Sequence, residues 1–419
     1  MYRVSQEDER RHMKISFSRI AAALVTAAAV ISGSATNVMA AGTTYTPVTG
    51  GTIKVYQYLT LDTDATVPNL SIGATIAAGA AQNASGTNAA VTSGVTPANV
   101  VITPAAFTPE TSAYASAQTI PADTGTRVAE GATDPITLDS NKYARSAMTL
   151  NFSGVSFNEP GVYRYIITND NTAKAGVTYD AVTTRVLDVY VLDDGTGALQ
   201  APFYVLHKSA SDAAVPVDGS APSATKAQGF VNSLTSSDLT ISKTVTGNQA
   251  SRDEYFEFTV NITGAGNGTV FTVGGDYDTT TVVTGNNPTT HTNPTTVTAN
   301  ATGAASATFW LQGGQDVVLQ GILPGTAYTI GENKTTIDNE GYTPSATING
   351  TAASFVTDTY NVSGSIASAD VAVAFTNAKS GTVPTGVLTS VLPGLLLLGC
   401  AAGGIFIIAK RKKENESAE

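Results

Sequence analysis

Three residues in the second half of the chain combine side-chain types that can form an amide cross-link. Lys243 is in phase with Leu239 and Ile241 in the segment LTISKTVTG, so strand alternation points its side chain inward. Glu332 ends a second apolar segment, and Asn377 lies on the last one. A buried lysine loses its proton readily, and burial favours the neutral form of a carboxylic acid. A neutral amine beside an asparagine amide, with a carboxylic acid polarising the amide carbonyl, can displace ammonia and leave an amide bond.

The same residues allow a simpler interpretation. An inward lysine on an apolar strand is costly unless it is paired. An ordinary ion pair between Lys243 and Glu332 at a sheet edge would meet that requirement without any reaction. Both interpretations bring the lysine and the glutamate together, and they differ in what happens at Asn377.

The segments that must position these residues have a period of two. Runs such as residues 53–59, 163–167, 256–260 and 371–375 alternate apolar and polar positions and are rich in β-branched and aromatic residues, which is typical of half-buried strands. Clusters of Gly, Asn, Asp and Pro separate them. Only 13% of the 419 residues are charged, about half the usual ~25%. The sequence therefore predicts an all-β protein with two tandem immunoglobulin-like β-sandwich domains.

An internal repeat gives the domain organisation. Each half opens with a β segment (TIKVYQYL, LTISKTVTG), continues with a glycine turn and a tyrosine strand (EPGVYRYIITN, LPGTAYTIGEN), and closes with an aromatic residue, one residue and an asparagine. The polar segment SLTSSD separates the halves. We predict an N-terminal domain with a long insertion at residues 41–235 and a C-terminal domain at residues 236–379.

The two ends indicate export and anchoring. Basic residues, an apolar stretch and small residues before position 40 have the form of a secretory signal peptide at residues 1–40. Residues 380–419 contain VPTG, an apolar span long enough for a bilayer and a basic tail. This order resembles the LPxTG-like sorting signals that sortases cleave, here between Thr385 and Gly386. We therefore expect a secreted protein that passes through a transmembrane stage and becomes anchored in a Gram-positive cell wall.

Together these motifs resemble one family. LTISKTVTG, YTIGEN, VAVAFTN and VPTG, with FNEPGVYRYIIT, GVTYD and FVNSL in the first half, are similar to FctA-type backbone pilins of streptococci, which have isopeptide-linkage domains. The resemblance implies that Lys243 is the nucleophile, Asn377 the acceptor amide and Glu332 the proton-handling acid of an autocatalytic bond. It also implies a pilus shaft subunit whose partners are sortase, identical subunits, minor pilins, peptidoglycan and host surface receptors.

The first half departs from this pattern. Alignment of the two halves puts Gln57 at the lysine position and Asn169 at the acid position, and keeps only Asn232. An amide is a poor nucleophile and cannot act as an acid. We predict no isopeptide bond here and a buried, hydrogen-bonded cluster of these three amides. The competing hypothesis is a bond from Lys54 to Asn232, assisted by Asp170.

A polymer needs an acceptor lysine, because an amine must resolve the thioester that sortase forms with Thr385. Lys226 lies six residues before Asn232, and this placement matches the linking lysine of the pilins that the chain resembles. Lys208 and Lys174 are the next candidates.

Other classes of function are less compatible with the sequence. A net charge of −11 argues against nucleic acid as a partner. The lone Cys400 leaves no disulfide framework and no cysteine metal site, and we expect no metal and no cofactor. Aspartates in LDTDA and GDYDT could contact calcium, but surface turns explain them better. A wall-anchored monomeric adhesin or a minor or tip pilin is the alternative function. An extracellular enzyme is a third possibility without a supporting motif.

Overall fold

The structure is a computed structural model that describes residues 44–109, 111, 113–114, 142–216, 225–284, 289–356 and 358–381. The predicted signal peptide, the apolar C-terminal span and the cleavage residues Thr385 and Gly386 lie outside the described residues. Within the described part of the chain, no helix has the length and apolarity needed to cross a membrane.

The described residues divide into two compact units. The first holds residues 44–61 and 70–234, and the second holds residues 62–69 and 235–381. Each unit contains two large sheets, and in each unit the first long strand lies parallel to the last strand. The repeat in the sequence therefore corresponds to a repeat in strand order.

The strands of the first unit are β1 (Val48–Thr49), β2 (Thr52–Leu61), β3 (Leu70–Ile72), β4 (Ala74–Ala78), β5 (Thr92–Ser93), β6 (Val101–Thr103), β7 (Ala105–Phe107), β8 (Ala113–Tyr114), β9 (Lys142–Asn151), β10 (Ser156–Phe157), β11 (Gly161–Asn169), β12 (Val177–Thr178), β13 (Thr184–Asp193), β14 (Leu199–His207) and β15 (Gly229–Leu234). A six-stranded sheet has the order β12-β15-β2-β9-β6 with β8 also on β9, and a five-stranded sheet has the order β14-β13-β11-β4 with β5 also on β11. The pairs β1-β10 and β3-β7 are separate, and a 3₁₀ helix spans Pro97–Asn99.

The elements of the second unit are β16 (Ser237–Thr246), β17 (Phe256–Thr263), β18 (Val270–Gly274), β19 (Thr281–Thr284), β20 (Thr289–Thr292), β21 (Thr296–Thr298), β22 (Ala305–Leu311), β23 (Asp316–Ile322), β24 (Ala327–Glu332), the helix α1 (Lys334–Glu340), β25 (Thr343–Ile348), β26 (Thr351–Ala353), β27 (Tyr360–Ser365) and β28 (Val371–Ala378). They form a seven-stranded sheet, β21-β18-β23-β16-β28-β25-β26, a four-stranded sheet, β22-β17-β24-β27, and the hairpin β19-β20.

Side-chain alternation builds a core between the two large sheets of each unit. In the second unit every other residue of β16 is buried, and Phe258 of one sheet meets Phe375 of the other at 5.2 Å between ring centroids. In the first unit Gly229 admits the close approach of β15 to β2, because a Cβ there would lie 1.7 Å from the carbonyl oxygen of Tyr56. The prediction of an all-β chain built from sandwiches is confirmed.

The sequence did not predict the short helix α1, which begins at Lys334, two residues after Glu332. The side chain of Asn333 caps it by accepting hydrogen bonds from the backbone N–H groups of Thr335 and Thr336. Gly341 ends the helix in the left-handed conformation, with φ of 75°. Seven residues are too few for a helical period to stand out in the sequence.

Candidate cross-linking site

Lys243 and Asn377 come from the two parallel neighbours β16 and β28. The register pairs Lys243 with Phe375 and Val245 with Asn377, so the lysine and the asparagine are diagonal neighbours on one face of the sheet. That face is the interior face, because Lys243 is 1% and Asn377 0% exposed. Strand alternation and the parallel pairing together bring the amine and the amide to the same place.

Glu332 reaches the same place from the opposite sheet. It is the last residue of β24 and is 4% exposed. Its Oε1 accepts hydrogen bonds from Nζ of Lys243 at 2.5 Å and from Nδ2 of Asn377 at 2.7 Å. One carboxylate oxygen therefore joins both predicted reaction partners across the core, and the ion pair lies in the interior of the sandwich rather than at a sheet edge.

Burial dominates the electrostatics of the pair. Desolvation lowers the pKa of Lys243 to about 8, although the Glu332 carboxylate opposes the shift. Desolvation also raises the pKa of Glu332, and this effect exceeds the lowering by Lys243 and by the hydrogen bonds. Both shifts favour the neutral forms, which are the amine that can attack a carbonyl carbon and the acid that can donate a proton.

Two buried oxygens at the site have no hydrogen-bond donor among the described residues: Oε2 of Glu332 and Oδ1 of Asn377. Buried acceptors without donors are uncommon and costly. A proton on Glu332 supplies the missing donor, because a neutral carboxylic acid can hydrogen-bond to an amide oxygen and polarise its carbonyl. The arrangement can thus activate Asn377 toward the amine of Lys243.

Two phenylalanines of β17, which the sequence analysis did not assign to the site, enclose the lysine. Nζ of Lys243 lies 4.2 Å from the ring centroid of Phe256 and 5.7 Å from that of Phe258. Both rings are fully buried, so they keep water from the amine. The alternation in EYFEFTV was the available signal, because it places both rings on the interior face.

The first unit brings together Gln57, Asn169 and Asn232 in a closed ring of hydrogen bonds. Nε2 of Gln57 donates to Oδ1 of Asn169 at 2.8 Å, Nδ2 of Asn169 donates to Oδ1 of Asn232 at 3.0 Å, and Nδ2 of Asn232 donates to Oε1 of Gln57 at 2.9 Å. All three residues are at most 3% exposed. Each amide donates to one neighbour and accepts from the other, so the ring satisfies its buried polar atoms.

The amide ring occupies the same register as the site in the second unit. β15 is parallel to β2, with Gln57 opposite Phe230 and Asn232 opposite Leu59. Asn169 is the last residue of β11, as Glu332 is of β24. The two units therefore share one framework with different side chains at two of its three positions.

Lys54 and Asp170 do not join this ring. Lys54 is an odd number of residues from Gln57 along β2, so its side chain points to the opposite face of the strand. The side chain of Asp170 instead accepts hydrogen bonds from the backbone N–H and the hydroxyl of Thr172.

The three candidate acceptor lysines, Lys226, Lys208 and Lys174, are all half-buried. Lys226 lies just before β15 and forms an antiparallel bridge with His207 at the end of β14. Among the described residues, no group of three or more His, Cys, Asp or Glu side chains is arranged to hold a metal ion.

Comparisons with known proteins agree with the repeat. Residues 101–234 match the FctA family model, described as a Spy0128-like isopeptide containing domain, and residues 237–379 match DUF7601, a domain of unknown function. A pilin from Streptococcus pyogenes serotype M1 is 26% identical over 265 residues, which are 62% of this chain and 70% of that protein.

Two solved structures of major pilins are also similar to this chain. The major pilin from Streptococcus pyogenes is 20% identical with a TM-score of 0.46, covering 80% of this chain and 100% of that one. The major pilin T3.2 from Streptococcus pyogenes serotype GAS13637 is 18% identical with a TM-score of 0.49, covering 80% and 99%. By sequence, residues 101–234 therefore match the FctA family of isopeptide-containing domains, and the chain is similar to a streptococcal pilin.

Proposed function

We propose that this protein is the structural subunit of a covalently polymerised surface pilus, and that an internal bond from Lys243 to Asn377 braces its second unit. The observation that carries the proposal is the contact of one oxygen of Glu332 with both Nζ of Lys243 and Nδ2 of Asn377 in the interior of the sandwich. A pair that served only to neutralise charge would not need a third, amide-bearing residue on the same oxygen.

The reaction is a transamidation. The neutral amine of Lys243 attacks Cγ of Asn377 while Glu332 gives its proton to Oδ1. The amine nitrogen then loses a proton to Glu332, which passes it to the departing Nδ2, and Oδ1 returns its proton to Glu332 as the carbonyl re-forms. The C–N bond of the side-chain amide breaks, ammonia leaves, and a secondary amide joins the two strands. Glu332 ends in its initial state, so the chain acts once on itself and is not an enzyme with a separate substrate.

The bond restricts the unfolded state of the second unit and changes how the unit carries tension. It closes a loop of ~134 residues, and the chain-entropy model used for disulfides gives about 5 kcal/mol of restriction of the unfolded state. It also joins β16 to β28, the first and last strands of the unit. Tension applied along the chain then passes through a covalent bond instead of peeling these strands apart, which suits a fibre without disulfides.

Assembly requires a second reaction, between subunits. Sortase cleaves between Thr385 and Gly386 and holds the Thr385 carbonyl as a thioester, and the amine of Lys226 on the next subunit displaces the sortase thiolate. The final subunit is transferred to peptidoglycan. Minor pilins and host surface receptors are the further partners of such a shaft.

Intact mass of the exported region, residues 41–385, tests the internal bond. The mass should fall short of the sequence value by one ammonia, and tandem mass spectrometry should recover a peptide joining Lys243 to Asn377. Glu332→Gln keeps the shape of the side chain but cannot donate the proton, so it should keep the full mass. Glu257→Gln, on the neighbouring strand β17, is the matched control and should still lose ammonia. Full mass in the wild type would refute the bond.

The alternative, a wall-anchored monomeric adhesin or a minor or tip pilin, shares the export and sorting signals but needs no acceptor lysine. Wall extracts distinguish the two functions. A shaft subunit gives a ladder of covalent polymers, which Lys226→Ala abolishes and Lys334→Ala, at an exposed lysine, leaves intact. Recovery of monomers alone from the wild type would favour the alternative.

A further inference from the structure

A row of ionisable side chains crosses the outer face of the five-stranded sheet in the first unit. Arg164 on β11 is directly opposite Asp188 on β13. Asp188 is opposite Val205 on β14, and His207 lies two residues further along the same face. The bridge from His207 to Lys226 extends the row to the segment before β15. No role for Arg164, Asp188 or His207 follows from the sequence.

Hydrogen bonds hold Arg164, Asp188 and His207 together in this row. Nε and Nη2 of Arg164 donate to the two carboxylate oxygens of Asp188 at 2.8 and 2.7 Å. Nε2 of His207 lies 3.1 Å from Oδ2 of Asp188. The three residues are at most 3% exposed, and Nη2 of Arg164 also donates to the backbone carbonyl of Ala213. The bidentate contact with Arg164 fixes the carboxylate of Asp188, and the contact with Oδ2 then orients the imidazole of His207.

In this group of three side chains, Nδ1 of His207 lacks a hydrogen-bond partner among the described residues. Asp188 accepts from Nε2 of His207, so in the neutral imidazole the proton is on Nε2 and Nδ1 is a hydrogen-bond acceptor. Nδ1 is buried and has no partner among the described residues. A buried acceptor of this kind needs a donor.

Lys226 is placed to supply that donor. The backbone hydrogen bonds from Lys208 N to Thr225 O, at 2.9 Å, and from Ala227 N to Leu206 O, at 2.8 Å, flank the bridge between His207 and Lys226. A pair flanked in this way is non-hydrogen-bonded, with Cα atoms about 4.5 Å apart and the side chains on the same face. Lys226 is half-buried.

We infer that His207, held by Asp188 and Arg164, is a positioning residue for the acceptor lysine: Nδ1, which has no partner among the described residues, is the acceptor to which Nζ of Lys226 donates when the amine attacks the sortase thioester. The inference rests on the proposed role of Lys226 in polymerisation. It explains why a fully buried ionic group lies beside a lysine that must react with a bulky acyl-enzyme. Loss of such positioning typically slows a transfer by about 10- to 100-fold.

Two substitutions separate positioning from stability. His207→Gln places a donor near Nε2, so it keeps the contact with Asp188 and loses the acceptor at Nδ1. His207→Asn places an acceptor near Nδ1 and loses the contact with Asp188. Each exported-region variant is offered as acceptor to a sortase charged with a sorting-signal peptide, and the rate of amide formation is measured against acceptor concentration alongside the melting temperature.

We expect His207→Gln to retain its melting temperature while kcat/KM for the acceptor falls about 10- to 100-fold, and His207→Asn to retain most of kcat/KM while its melting temperature falls. A normal rate for His207→Gln would overturn the inference, as would rates that simply follow the melting temperatures. Lys226→Ala distinguishes an error in the assignment of the acceptor lysine from an error in the role of His207. If Lys226→Ala still accepts the peptide, the assignment of the acceptor lysine is wrong; if it does not but His207→Gln reacts normally, only the role of His207 is wrong.

Discussion

The shared register of the two units predicts that two substitutions install a cross-link in the first unit. Gln57 and Asn169 occupy the positions of Lys243 and Glu332, and Asn232 is already an asparagine at the acceptor position. In Gln57→Lys/Asn169→Glu, the introduced lysine lies diagonal to Asn232 on parallel strands, and the introduced carboxyl lies within hydrogen-bonding reach of both. The framework is retained, so the reaction should follow from the chemistry of the side chains alone.

The expected gain in stability can be worked from the loop that the bond closes. Gln57 and Asn232 are 175 residues apart, so the loop-entropy model gives about 5 kcal/mol of restriction of the unfolded chain. At roughly 2–4 °C per kcal/mol for a domain of this size, the melting temperature of the first unit should rise by about 10–20 °C. Without the reaction the sign reverses, because the substitutions replace a satisfied amide ring by buried ionisable groups.

Mass spectrometry and calorimetry together provide the assay. The double variant should lose one more ammonia than the wild type, and a digest should contain a peptide that joins the introduced lysine to Asn232. Adding Asn232→Ala removes the acceptor and should abolish both effects, and Gln57→Lys alone should lose no additional ammonia and should melt earlier. A double variant of unchanged ammonia loss and lower melting temperature would refute the equivalence of the two sites.

Three further predictions concern single sites. Lys243→Ala removes the cross-link and should lower the melting temperature of the second unit by about 10–20 °C in calorimetry, whereas Lys334→Ala should change it little. In Asn377→Ala the amine stays free, and burial lowers the pKa of Lys243 from 10.5 to about 8. Between pH 8 and pH 10.5 the unfolded chain then binds more protons than the folded chain. The free energy of unfolding measured in urea should therefore rise from pH 8 to pH 10 by up to about 1.4 kcal/mol per pH unit. The same slope in the cross-linked wild type would exclude Lys243 as its source. Asp188→Ala leaves the buried Arg164 unpaired and should cost about 3–5 kcal/mol in urea unfolding, and a loss below 1 kcal/mol would show that water replaces the carboxylate.

Much of the site could be predicted because the direction of a strand side chain, toward the core or toward solvent, follows from local alternation in the sequence. The alternation in LTISKTVTG and VAVAFTN is enough to turn Lys243 and Asn377 inward, and the same reasoning turns Gln57 inward. The resemblance to backbone pilins then supplied the roles. Alignment of the two halves of the chain predicts the three residues that form the amide ring.

The outer face of the first sandwich could not be predicted in this way. Arg164 and Asp188 alternate toward what a local analysis treats as solvent, and they are buried because other parts of the chain cover that face. Ala213 contributes a carbonyl to Arg164, and Val162 packs with Val215 in a second, smaller hydrophobic cluster. Coverage of a sheet by a distant segment leaves no periodic signal in either sequence.

The sequence by itself therefore determined the all-β class, the two-fold repeat and which strand residues point into the core, because alternation and composition are properties of short segments. Only the tertiary structure decided that one oxygen of Glu332 contacts both Lys243 and Asn377, and that His207 lies beside Lys226. Those contacts join residues far apart in the chain, and their geometry depends on how sheets stack and how strands pair, which short-range patterns do not encode.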